Sequence, residues 1–294
     1  MRYVAIFVRL PLRFLVWALL TVACVPAWAQ APLRVRYPAQ ESGADLRARY
    51  PRAVLELALA RSGRPVQLAP ARVQASQERV LRLLERGKLL DVVWTATTAE
   101  RERRLRAVRF PIDRGLIGWR MLLVRRGETR RFITGTDPKG ALALLVGAQG
   151  HDWPDLAILR ANGLQVAASP RYEGLFGMLA RGHVDYIPRS VTEVGDELRS
   201  RPGLGLAIEP RLLLHYPSAL YFFVHPRNTE LAEALQTGLA RAHADGSLER
   251  LFTQAYDPAL NSLDLDRRQV VELRNPLLPA DLPRRADLWH GGRP

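Results

Sequence analysis

The stretch from Leu89 to Arg120 constrains the fold of this chain more than any other. It begins Leu-Leu-Asp-Val-Val-Trp-Thr-Ala-Thr-Thr, a short and nearly continuous apolar run that ends in hydroxyls. A strand with one wet face would alternate with polar residues. Leu89 to Thr95 does not, so it reads as a strand buried on both faces, the kind found inside a parallel sheet with helices on either side. Thr97 followed by Glu100 three residues later is a capping-box pattern, which starts a short helix with Arg101 in its first turn. Strand end, hydroxyl-rich loop, helix start and arginine then meet at the carboxyl edge of a sheet, where open α/β folds hold ligands. A pocket with one fixed cation is the expectation.

The flanking sequence repeats this alternation. Leu33 to Tyr37 reads as a first strand, Pro51 with Val54, Leu57, Ala58 and the Gly63 stop as a helix, and Val66 to Leu68 as a second strand. Ser76 to Arg86 is a further helix, stopped by Gly87. After a strand over Gly118 to Val124 a second alternation begins: a strand within Leu142 to Gln149, a helix opening near Asp152 and Pro154, a strand over Gln165 to Ala167, and a helix from Ser169-Pro170 to Gly182. Val184 to Ile187 is a strand, Ser190 with Glu193 is a capping box, and Leu204 to Ile208 precedes an apolar, aromatic strand over Ser218 to Val224. Asn228 caps a helix carrying Leu231, Leu235 and Leu239. Beyond Tyr256 the chain is rich in Pro, Arg and Leu without sustained period and is expected to wrap the surface.

The fold class is therefore α/β, with the second layer inserted into the first and two connecting segments near residues 118–126 and 215–224. Two lobes joined by two crossing strands can hinge and close on a ligand. The expected organisation is 30–120 with 220–275 as one lobe, 121–219 as the other, and 276–294 as a C-terminal tail.

The first 29 residues are different in kind. Met1 to Arg13 carries three arginines and no acid, Phe14 to Val25 is apolar, and Ala27-Trp28-Ala29 supplies a small-x-small cleavage pattern, so residues 1–29 read as a secretory signal peptide. The alternative is an uncleaved anchor, for which the apolar run falls short of the roughly 20 residues a spanning helix needs. The only cysteine, Cys24, lies inside this segment; Thr21 stands where a lipoprotein signal has a bulky aliphatic, so lipidation is a minor alternative. Without that leader 40 basic residues face 29 acidic ones. Such a balance suggests nucleic acid first, but the arginines are scattered, no basic arm or stacking motif is present, and export removes that partner. A preference for anionic ligands or anionic lipid surfaces accounts for the charge as well.

The residues resemble the amino-acid-type periplasmic solute-binding proteins, family 3, over about residues 33–256. The resemblance is carried by Gly87 before Leu90-Asp91-Val92-Val93, by Thr98-Ala-Glu-Arg101, Phe110-Pro111, Leu179-Ala-Arg-Gly182-His-Val-Asp185 and Ala244-Asp245-Gly246-Ser247-Leu248. It implies a two-lobed type II periplasmic-binding fold and a monomer that captures a small molecule in the periplasm for an inner-membrane ABC permease. In members that bind amino acids the Arg of Thr-x-x-Arg grips the ligand carboxylate, which matches Arg101; a planar guanidinium offers paired donors to two oxygens. Backbone amides at a helix start in the second lobe face the same carboxylate, matching Gln149 to Trp153, where Asp152 as a cap would itself occupy those amides. Amino-acid binders carry an acid for the ligand's ammonium where this chain has Arg189. That departure argues against an ordinary α-amino acid and fits either a second anionic group on the ligand or an Arg189 that faces away.

Tyr37, Trp94, Thr95, Trp153 and Tyr186 fall at strand ends or loops beside the expected cleft, where aromatic walls suit apolar or ring-bearing ligands. The six histidines lie far apart without metal-ligand spacing, so no metal or cofactor is expected. Two other classes compete with solute binding. One is an enzyme on the same scaffold, akin to cyclic-acid dehydratases, with Glu173 or Asp152 as the cleft carboxyl; no nucleophile, P-loop or dinucleotide motif offers other chemistry. The other is a periplasmic sensor or accessory module that signals through a membrane partner.

Overall fold

The structure, a computed structural model, describes Tyr3 and residues 32–39, 45–132, 137–283 and 285–292. Apart from Tyr3, the expected signal peptide lies outside the described residues. From Pro32 onward the chain forms one compact unit, and no helix among the described residues is long and apolar enough to cross a membrane.

The first alternation folds as β1 (Leu33–Pro38), α1 (Arg49–Arg61), β2 (Val66–Ala71), α2 (Gln77–Glu85), β3 (Val92–Ala96), α3 (Ala99–Arg104) and β4 (Arg106–Val108). β1 pairs in parallel with β2. β3 begins later than the apolar run implies. Leu89 is half exposed at a positive φ, and the Asp91 carboxylate that follows accepts the Arg36 amide and guanidinium, so the run turns before it extends. The cap of α3 is also displaced by one residue: Thr98 Oγ1 accepts the Arg101 amide at 3.1 Å, while Thr97 Oγ1 donates to Glu102.

The chain then crosses on β5 (Trp119–Arg125), whose alternate residues feed two cores. Met121 and Leu123 belong to a large core with Val35, Phe222 and Phe176, whereas Leu122 and Val124 face a smaller one with Leu159, Tyr186 and Leu214. The second lobe contains α4 (Pro138–Ala143), β6 (Val146–Gly150), α5 (Pro154–Ala161), β7 (Gln165–Ser169), α6 (Tyr172–Ala180), β8 (Ile187–Ser190), α7 (Val194–Arg199) and β9 (Leu206–Ile208). β6 and β7 are parallel, and β8 and β9 both pair antiparallel with β5. The expected capping box at Ser190 does not form. Ser190 ends β8 and bonds the Leu116 carbonyl, while α7 starts after Glu193, which is turned towards Arg189.

β10 (Leu212–His215) runs beside β5, and β11 (Leu220–Val224) returns to the first lobe between β3 and β4. Helices α8 (Thr229–Ala244), capped by Asn228 as its sequence implies, and α9 (Ser247–Asn261) complete that lobe. The tail does more than wrap. After α9 it forms β12 (Gln269–Glu272), parallel to β10. Arg274 then exchanges two hydrogen bonds with Asn162 at the end of α5, and the Leu277 carbonyl accepts the Ala99 amide at the start of α3. The tail is thus a third link between the lobes.

Candidate functional site

A cavity of about 180 Å³ lies between the lobes. The first lobe walls it with Asp45, Arg47, Gln77, Trp94 and Thr95; the second with Trp153, Asp155, Arg189 and Glu193; Arg120 on β5 and Leu220 on β11 close the hinge side. Gly150 lets Trp153 take its place, since a Cβ there would sit 2.5 Å from the indole.

Three buried or largely buried arginines line this space and a fourth, Arg101, stands behind it. Arg47 is paired with Asp45 and lies 3.8 Å from the Tyr172 ring centroid. Arg120 reaches Asp155 at 2.5 Å. Arg189 is held by both oxygens of Glu197 and by Glu193, and its guanidinium lies over the Trp153 ring at 4.9 Å. Arg101 differs. It is 5% exposed, and its guanidinium donates only to neutral oxygens: Thr95 Oγ1 at 2.7 Å, the Ala96 carbonyl at 2.8 Å, Gln77 Oε1 at 2.5 Å and, at 3.4 Å, the Asp152 carbonyl of the other lobe. Among the described residues no carboxylate lies within ion-pair distance of it. Burial accordingly pushes its pKa down to about 10, against the raising effect of more distant acids. Removing a cation from water without a counter-ion is costly, so this position favours an incoming anion.

Arg101 does not line the 180 Å³ cavity itself. It stands behind Thr95 and Gln77 and opens on a neighbouring part of the cleft, about 450 Å³, with His151, Asp152, Trp153 and Leu277. Tyr37 stands one step back as well, its ring 6.1 Å from that of Trp94. Gln149 is fully buried and donates to the Pro188 carbonyl at 2.8 Å, so its side chain is spent inside the second lobe. Tyr186 is likewise buried, packed edge-on to Phe132. Asp152 is not the cap of α5, which starts after Trp153 without a side-chain cap. Its carboxylate reaches across the cleft and accepts the Glu78 amide in the first turn of α2 at 2.8 Å. Arg189 does face the cavity wall, but two glutamates already neutralise it.

Sequence reasoning missed Asp45, Arg47, Gln77, Arg120, Asp155 and Glu193. Arg120 had a signal: it is a lone charge inside the apolar run Gly118 to Val124. The others lie in loops or helix starts, where spacing carries no directional information. No group of residues able to hold a metal ion occurs among the described residues.

No protein-family model and no curated protein sequence matches the chain. Solved structures do. The fold is similar to an ancestral arginine-binding protein bound to arginine, with a TM-score of 0.58 at 17% identity over 78% of this chain and 99% of that one. It is similar to the GluR0 ligand-binding core from Nostoc punctiforme in complex with L-glutamate, with a TM-score of 0.55 at 16% identity over 77% and 100%. The Bordetella pertussis BvgS periplasmic VFT2 domain superposes with a TM-score of 0.57 at 18% identity over 76% and 93%. None of the three is named as an enzyme. Parallel β-α layers on each side, crossing strands between them and a charged cleft where they meet give this chain the two-lobed fold of the amino-acid-type periplasmic solute-binding proteins.

Proposed function

We propose that this chain is a periplasmic solute-binding protein that captures a small, carboxylate-bearing, amino-acid-like molecule between its lobes, with Arg101 taking the carboxylate. The carrying observation is the Arg101 guanidinium, buried at the cleft with neutral partners only, while Arg47, Arg120 and Arg189 each have an acid. Trp94, Thr95 and Trp153 would contact the remainder of the ligand. The lobes are drawn as 30–120 with 220–275, and 121–219. The leader-like residues 1–29 support export, and delivery to an inner-membrane permease is the role that fits an exported monomer of this fold.

The test is a thermal-shift and calorimetric screen of the chain against amino acids and small carboxylates. Binders should raise the melting temperature and reduce the radius seen by small-angle scattering. Arg101→Ala should weaken them by at least about thirtyfold, the scale for truncating one partner of a buried charge pair. Undiminished affinity in that variant, or no stabilisation by any carboxylate, would refute the reading.

A further inference from the structure

Outside the leader-like segment 40 basic residues face 29 acidic ones, and Arg47, Arg120 and Arg189 in the cleft have acids, so the surplus charge sits elsewhere. Part of it gathers at the end of the β3-β11-β4 sheet farthest from the cleft. At the cleft end of this sheet Ala96 stands opposite Leu220, and both line the cavity; at the other end Val224 of β11 lies between Val92 of β3 and Arg106 of β4. Two turns close that far end. Arg86 to Leu89 leads into β3, and Pro226 and Arg227 follow β11. They meet: a Cβ on Gly87 would lie 3.4 Å from the His225 ring, and Arg106 Nε donates to the Pro226 carbonyl at 3.0 Å. Arg86, Lys88, Arg106 and Arg227 are all exposed, and none has a carboxylate within ion-pair distance among the described residues. The acids beside them in sequence are engaged, Glu85 by Arg104 and Asp91 by Arg36.

Among these cations stands Leu89, 52% exposed. Its backbone is the apex of a three-residue turn: the Leu90 amide donates to the Lys88 carbonyl at 2.8 Å, and Leu89 has a φ of 65°. Such a turn is rare and strained for a residue with a Cβ, whereas glycine adopts it freely. The side chain therefore adds strain and gains little packing within the chain, which points to a contact outside it. A projecting leucine has to be received by its partner. A protein needs a matching hollow for it; the acyl layer beneath anionic headgroups receives it wherever it lands. We infer that this end of the first lobe rests on an anionic phospholipid surface, with Leu89 entering the headgroup layer and Arg86, Lys88, Arg106 and Arg227 meeting the phosphates. β3 spans five residues, about 15 Å, so the contact lies one strand length from Thr95 and leaves the cleft clear. Only one lobe is held. The other stays free to swing.

The test is co-sedimentation of residues 30–294 with vesicles of phosphatidylcholine alone and of phosphatidylcholine mixed with phosphatidylglycerol. Those residues keep the compact unit whole and omit an apolar stretch that would itself enter lipid. Binding should require phosphatidylglycerol and weaken as salt rises. Arg86→Gln, Lys88→Gln, Arg106→Gln and Arg227→Gln combined should lower the partition at least about a hundredfold, at about fivefold for each charge. Arg126→Gln, Lys139→Gln, Arg171→Gln and Arg181→Gln combined, in the second lobe, should lower it less than about tenfold, because charges beyond the Debye length of about 8 Å are screened. Leu89→Gly, which the turn accepts without strain, should lower it about fivefold. Melting temperatures confirm that each variant is folded. No binding to the mixed vesicles at low salt, or equal losses in the two quadruple variants, overturns the proposal. Binding to a polyglutamate peptide as tight as to the vesicles, and indifferent to Leu89→Gly, assigns this face to an acidic protein segment and likewise overturns the lipid reading.

Discussion

At the scale of single residues, the site shows what a sequence motif can and cannot convey. The helix start and the position of Arg101 after a buried strand were legible because both are local properties, although the cap falls on Thr98 and not on Thr97. Arg189 was expected beyond a strand of Val184 to Ile187 but lies inside β8, and its neutralising partners were not legible because Glu193 and Glu197 come from the start and body of a helix whose orientation no spacing reveals. The Arg189 and Glu197 pair is among the most buried in the protein, and Tyr172 adds a hydrogen bond to the same carboxylate. Opposed burial and attraction leave Glu197 with its pKa below the ordinary value and Arg189 with its pKa well above, so both are charged at neutral pH. Glu197→Gln removes half of that pair. It should cost about 3–5 kcal/mol of folding stability, the range for a buried charge left without its partner, and denaturant titration measures it. A loss below about 1 kcal/mol would mean that solvent reaches this pair.

At the scale of elements, most helix and strand positions followed from apolar periodicity, with β3 and β8 each set about three residues later than expected, but their close approaches did not. Gly238 lies inside α8, where glycine is a poor helix former and alanine would ordinarily stabilise by about 0.5–1 kcal/mol. A Cβ at Gly238, however, would fall 1.8 Å from the Ala58 carbonyl of α1. Overpacking of that kind costs about 1–3 kcal/mol, so Gly238→Ala should destabilise; a raised melting temperature would show that α1 and α8 can move apart. Gly118 does the same work between the crossings, its missing Cβ lying 2.1 Å from the Tyr216 carbonyl. The turn that leads into β5 holds Asp113, whose carboxylate accepts the Gly115 and Ile117 amides. Burial outweighs those bonds and pushes its pKa up to about 6. Over the interval from about pH 4 to about 6 the folded chain then keeps a proton that the unfolded chain has released. Stability should therefore fall as pH rises through that window, by up to about 3 kcal/mol from this group. Urea titrations at a series of pH values test this, and Asp113→Asn should flatten that segment whatever its own baseline.

At the scale of the whole molecule, two crossing strands and two α/β lobes were legible from the order of the apolar runs. The third link was not, because β12 is four residues of ordinary polarity whose pairing with β10 depends on the tertiary position of α9. Removing the side chain of Asn162 deletes both of its bonds to Arg274. Asn162→Ala should thus free the tail from α5, seen as faster hydrogen exchange over residues 269–277; unchanged protection there would assign the link to strand pairing alone. The lobes also hold each other directly. Asp152 joins α2 through the Glu78 amide, its carbonyl meets Arg101, and Arg47 of the first lobe stacks on Tyr172 of the second. Asp152→Ala should therefore enlarge the radius of gyration in ligand-free solution.

Those bonds between Asp152 and the opposite lobe have a kinetic corollary. A solute can reach Arg101 only after the protein has released its own grip on that guanidinium, so capture would be gated by spontaneous parting of the two halves. Association rates would then climb with solute concentration only to a plateau, the height of that plateau would report the parting rate, and loosening Asp152 would lift it.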